Sequence, residues 1–216
     1  MIKQMKSRNI WQIIAIVAIF VSIGLSIALG KSKSAKNFEY LEMVRIHEAE
    51  LKYWENKSKL ADAVQTYIHS IAPTSDLSAA LLIDECEEYS VDVKFALAQG
   101  ELESHFGVIG LAAKTNSVWN VGAYDNLSFK DITKKYKYNH PNESIRPYLE
   151  LLTSEYLTAR CEEELLKKFE THGGKRFATE PKYEERLSYK YKTIANTTCI
   201  DSLQQQVRYW KVRSNR

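Results

Sequence analysis

The chain has 216 residues, of which 44% are apolar and 26% are charged, with only 8 Gly and 4 Pro. This composition excludes collagen, low-complexity disorder and a polytopic membrane protein. The net charge of +3 is too small to indicate a nucleic-acid partner. Cys86, Cys161 and Cys199 are odd in number and widely spaced, which excludes a closed disulfide framework and a CxxC zinc motif. We therefore predict no metal and no cofactor.

The N-terminal region contains one long apolar run. Residues 10–29 carry no charge, and about 20 apolar residues in a helix can cross the hydrocarbon core of a bilayer. A secretory signal peptide is the alternative, with Ser26-Ile27-Ala28 as a cleavage site, although its apolar region usually has about 7–15 residues. Basic residues on both sides leave the orientation undetermined by charge. We predict a basic segment over 1–9 and an uncleaved transmembrane anchor over 10–29.

A helical stalk is predicted to follow the apolar run. Between Lys36 and Ser70 there is no Gly or Pro, and most residues favour helices. Spacings of four and three from Tyr40 to Ala61 form a weak heptad seam. The seam allows self-association through the stalk, and an amphipathic helix lying on its own domain is the alternative.

The remaining chain is predicted to be mainly α-helical. The predicted helices run over 77–89, from 90 or 92 to 105, from 142 or 143 beyond 157, and from 181 to about 194. Only Asn116 to Thr133 mixes β-branched, aromatic and turn residues, which predicts short strands or an irregular loop. The predicted boundaries are 30–58 for the stalk, 59–200 for one globular domain and 201–216 for a basic C-terminal tail.

One predicted helix carries a candidate catalytic acid in its last turn. Apolar residues recur at helical spacing from Val91 to Phe106, and Glu103 lies near the end. The helix C-terminus and burial beside Phe106 both disfavour the ionised carboxylate, so they raise its pKa. A carboxylic acid that stays protonated near neutral pH can serve as the general acid in glycosidic-bond cleavage. Glu101 points to the opposite side of the helix and is predicted to be a structural or solvated charge near Lys94.

Four segments in the same order resemble one family of cell-wall hydrolases. They are LAQGELESHFG (Leu97 to Gly107), AAKTNSVWNVG (Ala112 to Gly122), ESIRPYLELL (Glu143 to Leu152) and RFATEPKYEERL (Arg176 to Leu187). Together they are similar to the N-acetylglucosaminidase branch of the lysozyme superfamily, glycoside hydrolase family 73, which includes flagellar muramidases and autolysins. The resemblance implies a lysozyme-like helical domain with a short β/loop lobe, preceded here by one transmembrane helix and a helical stalk.

The resemblance also implies roles for individual residues. Glu103 takes the place of the general acid, and Tyr183 that of the tyrosine beside the acid in the glycan cleft. Asn116 belongs to the KTN turn that supports the cleft floor, and Trp119 stands where the family has phenylalanine. Asn120 stands where the family has glycine. We predict that Tyr183, Asn116, Trp119 and Asn120 contact the substrate.

A second catalytic carboxylate is not fixed by the resemblance. Family members often carry it on a β-hairpin that is much abbreviated here, between Gly122 and Ser144. The acids in this stretch are Asp125, Asp131 and Glu143, and none lies in a matching motif. Asp125 is our first choice for the second carboxylate. The neighbouring Tyr124 is a predicted substrate contact because flat rings suit stacking on sugars. Glu180 stands where the family has an aspartate, in the turn before Tyr183.

Three chemical courses remain open at this stage. A second carboxylate can activate water or act as a nucleophile, the 2-acetamido group of the substrate can attack, or a lytic transglycosylase can work with one glutamate. We predict a hydrolase of peptidoglycan glycan strands that cleaves GlcNAc-β-1,4-MurNAc bonds, with Glu103 as proton donor. The alternatives are a transglycosylase and a non-catalytic scaffold. The predicted localisation is single-pass, with the catalytic domain on the periplasmic or extracytoplasmic side, or on a phage particle.

Overall fold

The structure is a computed structural model that describes residues 33–122 and 128–214. Its helices are α1 (Lys33–Ile71), α2 (Ala79–Glu88), α3 (Val93–Ser104), α4 (Ala112–Thr115), α5 (Phe129–Lys135), α6 (Ile145–Leu151), α7 (Glu162–Leu165), α8 (Tyr183–Thr197) and α9 (Ile200–Arg213). A 3-10 turn over Pro141–Ser144 precedes α6, and a π-helical turn over Leu152–Tyr156 follows it. The prediction of a mainly α-helical fold is confirmed.

The predicted short strands between Asn116 and Thr133 do not occur in the described part of that stretch. Residues up to Gly122 form turns, and α5 begins at Phe129. The Ser128 hydroxyl accepts a hydrogen bond from the Asp131 amide (3.2 Å), which caps this helix. Within 33–122 and 128–214, β structure is limited to an isolated bridge between residues 170 and 176.

Contacts divide the chain into two units. The first unit consists of two segments, Met1–Leu51 and Lys211–Arg216, and the second unit is Lys52–Trp210. In the first unit, Phe38 and Met43 of α1 are more than half exposed. None of the helices in the described ranges is both long and apolar enough to cross a bilayer. The predicted anchor over 10–29 lies outside the described residues.

The second unit begins within α1. This helix continues without a break across the predicted boundary between residues 58 and 59, and Tyr53 is already buried. Leu60, Val64 and Ile68 recur every four residues and join the hydrophobic core. This spacing places them on one face of the helix, which explains why the part of α1 from Lys52 onward packs into the core of the second unit.

Helix α3 lies at the centre of the second unit. Asp92 caps it by accepting a hydrogen bond from the Lys94 amide (2.9 Å), and nearly every residue up to Glu101 is buried. The helix ends at Ser104, within one residue of the predicted end, and His105 follows it in a left-handed conformation (φ 45°). Helix α8 packs directly against α3. The central helix therefore carries Glu103 on its last turn, just after its buried part.

The end of the chain differs from the predicted basic tail. Residues Ile200–Arg213 form α9, in which Ile200, Gln204 and Val207 are buried. The Lys94 ammonium pairs with the Asp201 carboxylate at the start of this helix. The sequence analysis assigned no helix here because most of its residues are polar and the buried stripe is narrow.

Candidate active site

A cleft of about 560 Å³ opens beside the C-terminal end of α3. Five parts of the second unit line it: the end of α3, Leu111 just before α4, residues 119–122, the stretch around the π-helical turn, and residues 175–186. Glu103 lies in this lining together with Tyr183, Asn120 and Trp119. The structure therefore brings four of the predicted site residues to one cleft.

The Glu103 carboxyl is half-buried and is held by two neutral donors. The Tyr183 hydroxyl donates to Oε1 (2.5 Å), and the Asn120 amide Nδ2 donates to Oε2 (3.2 Å). Burial raises the pKa of Glu103, while these hydrogen bonds and the nearby Arg186 guanidinium oppose the increase and Glu180 adds to it. Desolvation is the largest influence, so the pKa lies above the ordinary value in the direction expected from sequence. Such a group is suited to donate a proton.

Tyr183 is held in turn by a buried hydrogen-bond chain. The Tyr148 hydroxyl donates to Gln99 Oε1 (2.8 Å), and Gln99 Nε2 donates to the Tyr183 oxygen (3.2 Å). With its oxygen already accepting a bond, Tyr183 directs its proton to Glu103. Burial and the neighbouring Glu103 carboxylate raise the pKa of Tyr183 well above its ordinary value, so the phenol stays neutral.

Gln99 and Tyr148 were missed by the sequence analysis. The spacing offered one signal, because Gln99 precedes Glu103 by four residues and so lies on the same face of α3. Tyr148 lies on α6, and no local pattern indicates that it meets Gln99. Both side chains are fully buried, so their roles are fixed by tertiary packing.

Trp119 forms the floor of the cleft. It is almost fully buried, its ring stacks on Tyr148 at a centroid distance of 4.5 Å, and its Nε1 donates to the Ala96 carbonyl (2.9 Å). A Cβ atom on Gly100 would lie 3.2 Å from the indole nitrogen, so the absence of a side chain there allows this close approach. One face of the Trp119 ring is covered by Tyr148 and does not present itself to a sugar.

The other predicted contacts lie elsewhere. Asn116 adopts a left-handed conformation (φ 56°), and its Nδ2 donates to the Tyr138 carbonyl (2.9 Å), which ties two loops together. Asn116 is not among the residues that line the cleft. Asp125 and Tyr124 lie outside the described residues.

Glu101 differs from its prediction in its partners. It is 3% exposed, and its carboxylate accepts hydrogen bonds from the Tyr67 hydroxyl of α1 and the Lys190 ammonium of α8. Lys94 pairs with Asp92 and Asp201 instead. Glu101 is therefore a buried structural charge on the side of α3 away from the cleft.

Charged side chains border the far wall of the cleft. Both Glu180 oxygens accept from Arg186 Nη1 (2.9 and 2.8 Å), and Arg176 pairs with Glu184 (2.6 Å). Glu155, on the π-helical turn, also lines the cleft. Across the ranges the structure describes, no group of three side chains could hold a metal ion. The described lining thus offers one desolvated carboxyl, Glu103, among otherwise exposed carboxylates.

A desolvated carboxyl group in an open cleft is compatible with the general acid that a glycosidase needs. The family model for glucosaminidase, described as mannosyl-glycoprotein endo-beta-N-acetylglucosaminidase, matches residues 79–196. This match spans just over half of the chain and contains every residue that lines the cleft. A comparison with curated proteins gave no match.

The chain therefore belongs to the glucosaminidase family, glycoside hydrolase family 73. It is a glycoside hydrolase of the endo-β-N-acetylglucosaminidase type. The domain indicates peptidoglycan as the substrate in general.

Proposed function

We propose that the protein cleaves GlcNAc-β-1,4-MurNAc bonds in peptidoglycan glycan strands, with Glu103 as the general acid. The observation that carries this proposal is the Glu103 carboxyl, desolvated in the cleft and held by Tyr183 and Asn120. A raised pKa keeps a larger fraction of Glu103 protonated near neutral pH, which the departing sugar oxygen requires. The two neutral donors then stabilise the carboxylate that remains once the proton has left.

Asp125 is proposed as the second carboxylate, which activates the attacking water. The described lining contains two other carboxylates, Glu155 and Glu180. Both Glu180 oxygens already accept hydrogen bonds from Arg186, so they are less available to bind the attacking water. The resemblance places the second acid of the family in the segment that contains Asp125, and this supports its choice over Glu155.

The products of a peptidoglycan digest test this function. We expect purified protein to release muropeptides with GlcNAc at the new reducing ends, and Asp125→Asn to slow release by about 10²-fold or more. Mass spectrometry of the fragments distinguishes the alternatives. Anhydro ends would identify a transglycosylase, and no release above a buffer control would favour a scaffold. Release by Asp125→Asn at the parent rate would exclude Asp125 as the base.

We also propose that residues 10–29 anchor the protein in a membrane, with the catalytic domain on the periplasmic or extracytoplasmic side, and that the stalk self-associates. The uncharged run supports the anchor. The exposed Phe38, Leu41 and Met43 side chains of α1 support self-association. For the anchor, we expect the intact chain, starting at Met1, to be recovered in the membrane fraction after alkaline extraction. For self-association, we expect cross-linking to yield dimers that are joined through α1. A mature N-terminus near Gly30 would contradict the anchor, and an exclusively monomeric species would contradict self-association.

A further inference from the structure

We infer that Asn120 is a positioning residue for Glu103, and that it lowers the upper pH limit of activity. This inference rests on the proposed role of Glu103 as general acid. Asn120 Nδ2 donates to two atoms of the same residue, the Oε2 atom and the main-chain carbonyl of Glu103, both at 3.2 Å. One amide group therefore fixes the carboxyl relative to the end of its own helix.

The backbone around Asn120 holds the amide in place. Its φ is 51°, a left-handed conformation that asparagine tolerates better than most side chains, and its main-chain N–H donates to the Ser117 carbonyl (3.0 Å). The preceding Trp119 is attached to α3 through the Ala96 carbonyl. Asn120 is thus connected to α3, the helix that carries Glu103, through its neighbour Trp119 and through its own amide.

The orientation of the amide is dictated by Glu103. Asn120 Oδ1 is buried and has no hydrogen-bond partner in the described structure. Rotating the amide by 180° would place this oxygen against two acceptors, Glu103 Oε2 and the Glu103 carbonyl. An unpartnered buried oxygen costs free energy, so the two bonds made by Nδ2 outweigh that cost. The arrangement favours the ionised form of Glu103 over the protonated form.

Among the described residues, Tyr183 is the other neutral donor to the Glu103 carboxyl, and it binds Oε1, whereas Asn120 binds Oε2. In the part of the chain that the structure describes, the charged or titratable groups that act on Glu103 are Arg186 and Tyr183 of α8, Glu180 just before α8 and Tyr148 of α6. Glu155, Lys175 and Arg176 lie along the same cleft. Arg186 and Glu180 are paired with each other and act on Glu103 in opposite directions. Both tyrosines stay neutral because burial raises the pKa of each well above its ordinary value. Asn120 is neutral at every pH, so replacing it removes a donor without adding or removing a titrating group.

The Asn120→Gly variant tests the inference. Glycine accepts the left-handed conformation without strain, so the variant loses only the amide. We expect the alkaline midpoint of the kcat/KM pH profile to rise by about one unit, because a hydrogen bond to a charged group is lost. We expect kcat at the optimum to fall by about three- to tenfold. Asn120→Asp, which places a second carboxylate beside Oε2, should raise the midpoint further.

A matched control separates this effect from backbone changes. Ser90→Gly alters another left-handed position (φ 58°), exposed and outside the cleft, and should keep the parent profile. An unchanged or lowered midpoint in both Asn120 variants, at parent melting temperature, would overturn the inference. Glu103→Gln separates the proposed function from the inference about Asn120. If Glu103→Gln stays active, the proposed function fails. If Glu103→Gln is inactive and the pH profile of Asn120→Gly is unchanged, only the role of Asn120 is rejected.

Discussion

Replacing Glu103 with glutamine should reduce glycan cleavage by about 10²–10⁴-fold, the range that general acid catalysis contributes. Glutamine has nearly the same shape as glutamate and can still accept the hydrogen bond from Tyr183, but it has no proton to donate to the departing sugar oxygen. The measurement is the release of reducing ends from purified peptidoglycan by variant and parent. Residual activity within tenfold of the parent would remove Glu103 from the proposed role.

The same variant carries an internal control for folding. Burial raises the folded-state pKa of Glu103 above its unfolded value of about 4.3. The stability contributed by this group is fully present below the unfolded pKa and is lost as pH rises through the folded pKa. Glu103→Gln, which does not ionise, should therefore match or exceed the parent melting temperature at pH 7, and this advantage should disappear below about pH 4. A marked loss of stability at pH 7 would attribute the inactivity to misfolding.

Replacing Lys190 with methionine should have the largest effect on stability. Glu101 is 3% exposed and accepts hydrogen bonds from Lys190 and Tyr67. Removal of the ammonium leaves a buried carboxylate with a single neutral donor, and breaking a buried ion pair costs about 3–5 kcal/mol. The Lys190 side chain is 33% exposed, so we expect about 2–3 kcal/mol. Urea unfolding monitored by circular dichroism measures the difference.

Two further variants make this stability test specific. Lys59→Met removes an exposed lysine that pairs with Glu55 on the same helix, and should shift the urea midpoint far less than Lys190→Met. Adding Glu101→Gln to Lys190→Met should recover part of the loss, because the uncompensated charge is then absent. Equal midpoints for Lys190→Met and Lys59→Met would show that the buried pair contributes no more than a surface pair.

The sequence was sufficient to predict the helix that carries Glu103 and the position of this residue on its last turn. The apolar spacing before Glu103 and the four motifs led to the same residue, and the two-residue spacing correctly separated Glu101 from it. The partners of both glutamates could not be predicted, because they lie on other helices. Tyr67 is 34 positions from Glu101, and Tyr183 is 80 positions from Glu103. Such pairings depend on tertiary packing and leave no local pattern.

The errors in the predicted fold have local causes. The stretch after Asn116 is rich in β-branched and aromatic residues, but the Ser128 cap starts a helix within it. The C-terminal segment is mostly polar, and the narrow stripe from Ile200 through Gln204 to Val207 was too sparse to indicate a helix. In both cases, capping or packing outweighed average composition.

The packing of α1 determines how far a recombinant form of the enzyme can be shortened. The family match begins at residue 79, yet Leu60, Val64 and Ile68 fill the core, and Tyr67 holds Glu101. A recombinant fragment trimmed to the family boundaries would lose this apolar face and leave a buried carboxylate short of a donor. The shortest fragment suitable for a fusion protein therefore starts near Lys52, well before the first residue that the family model matches.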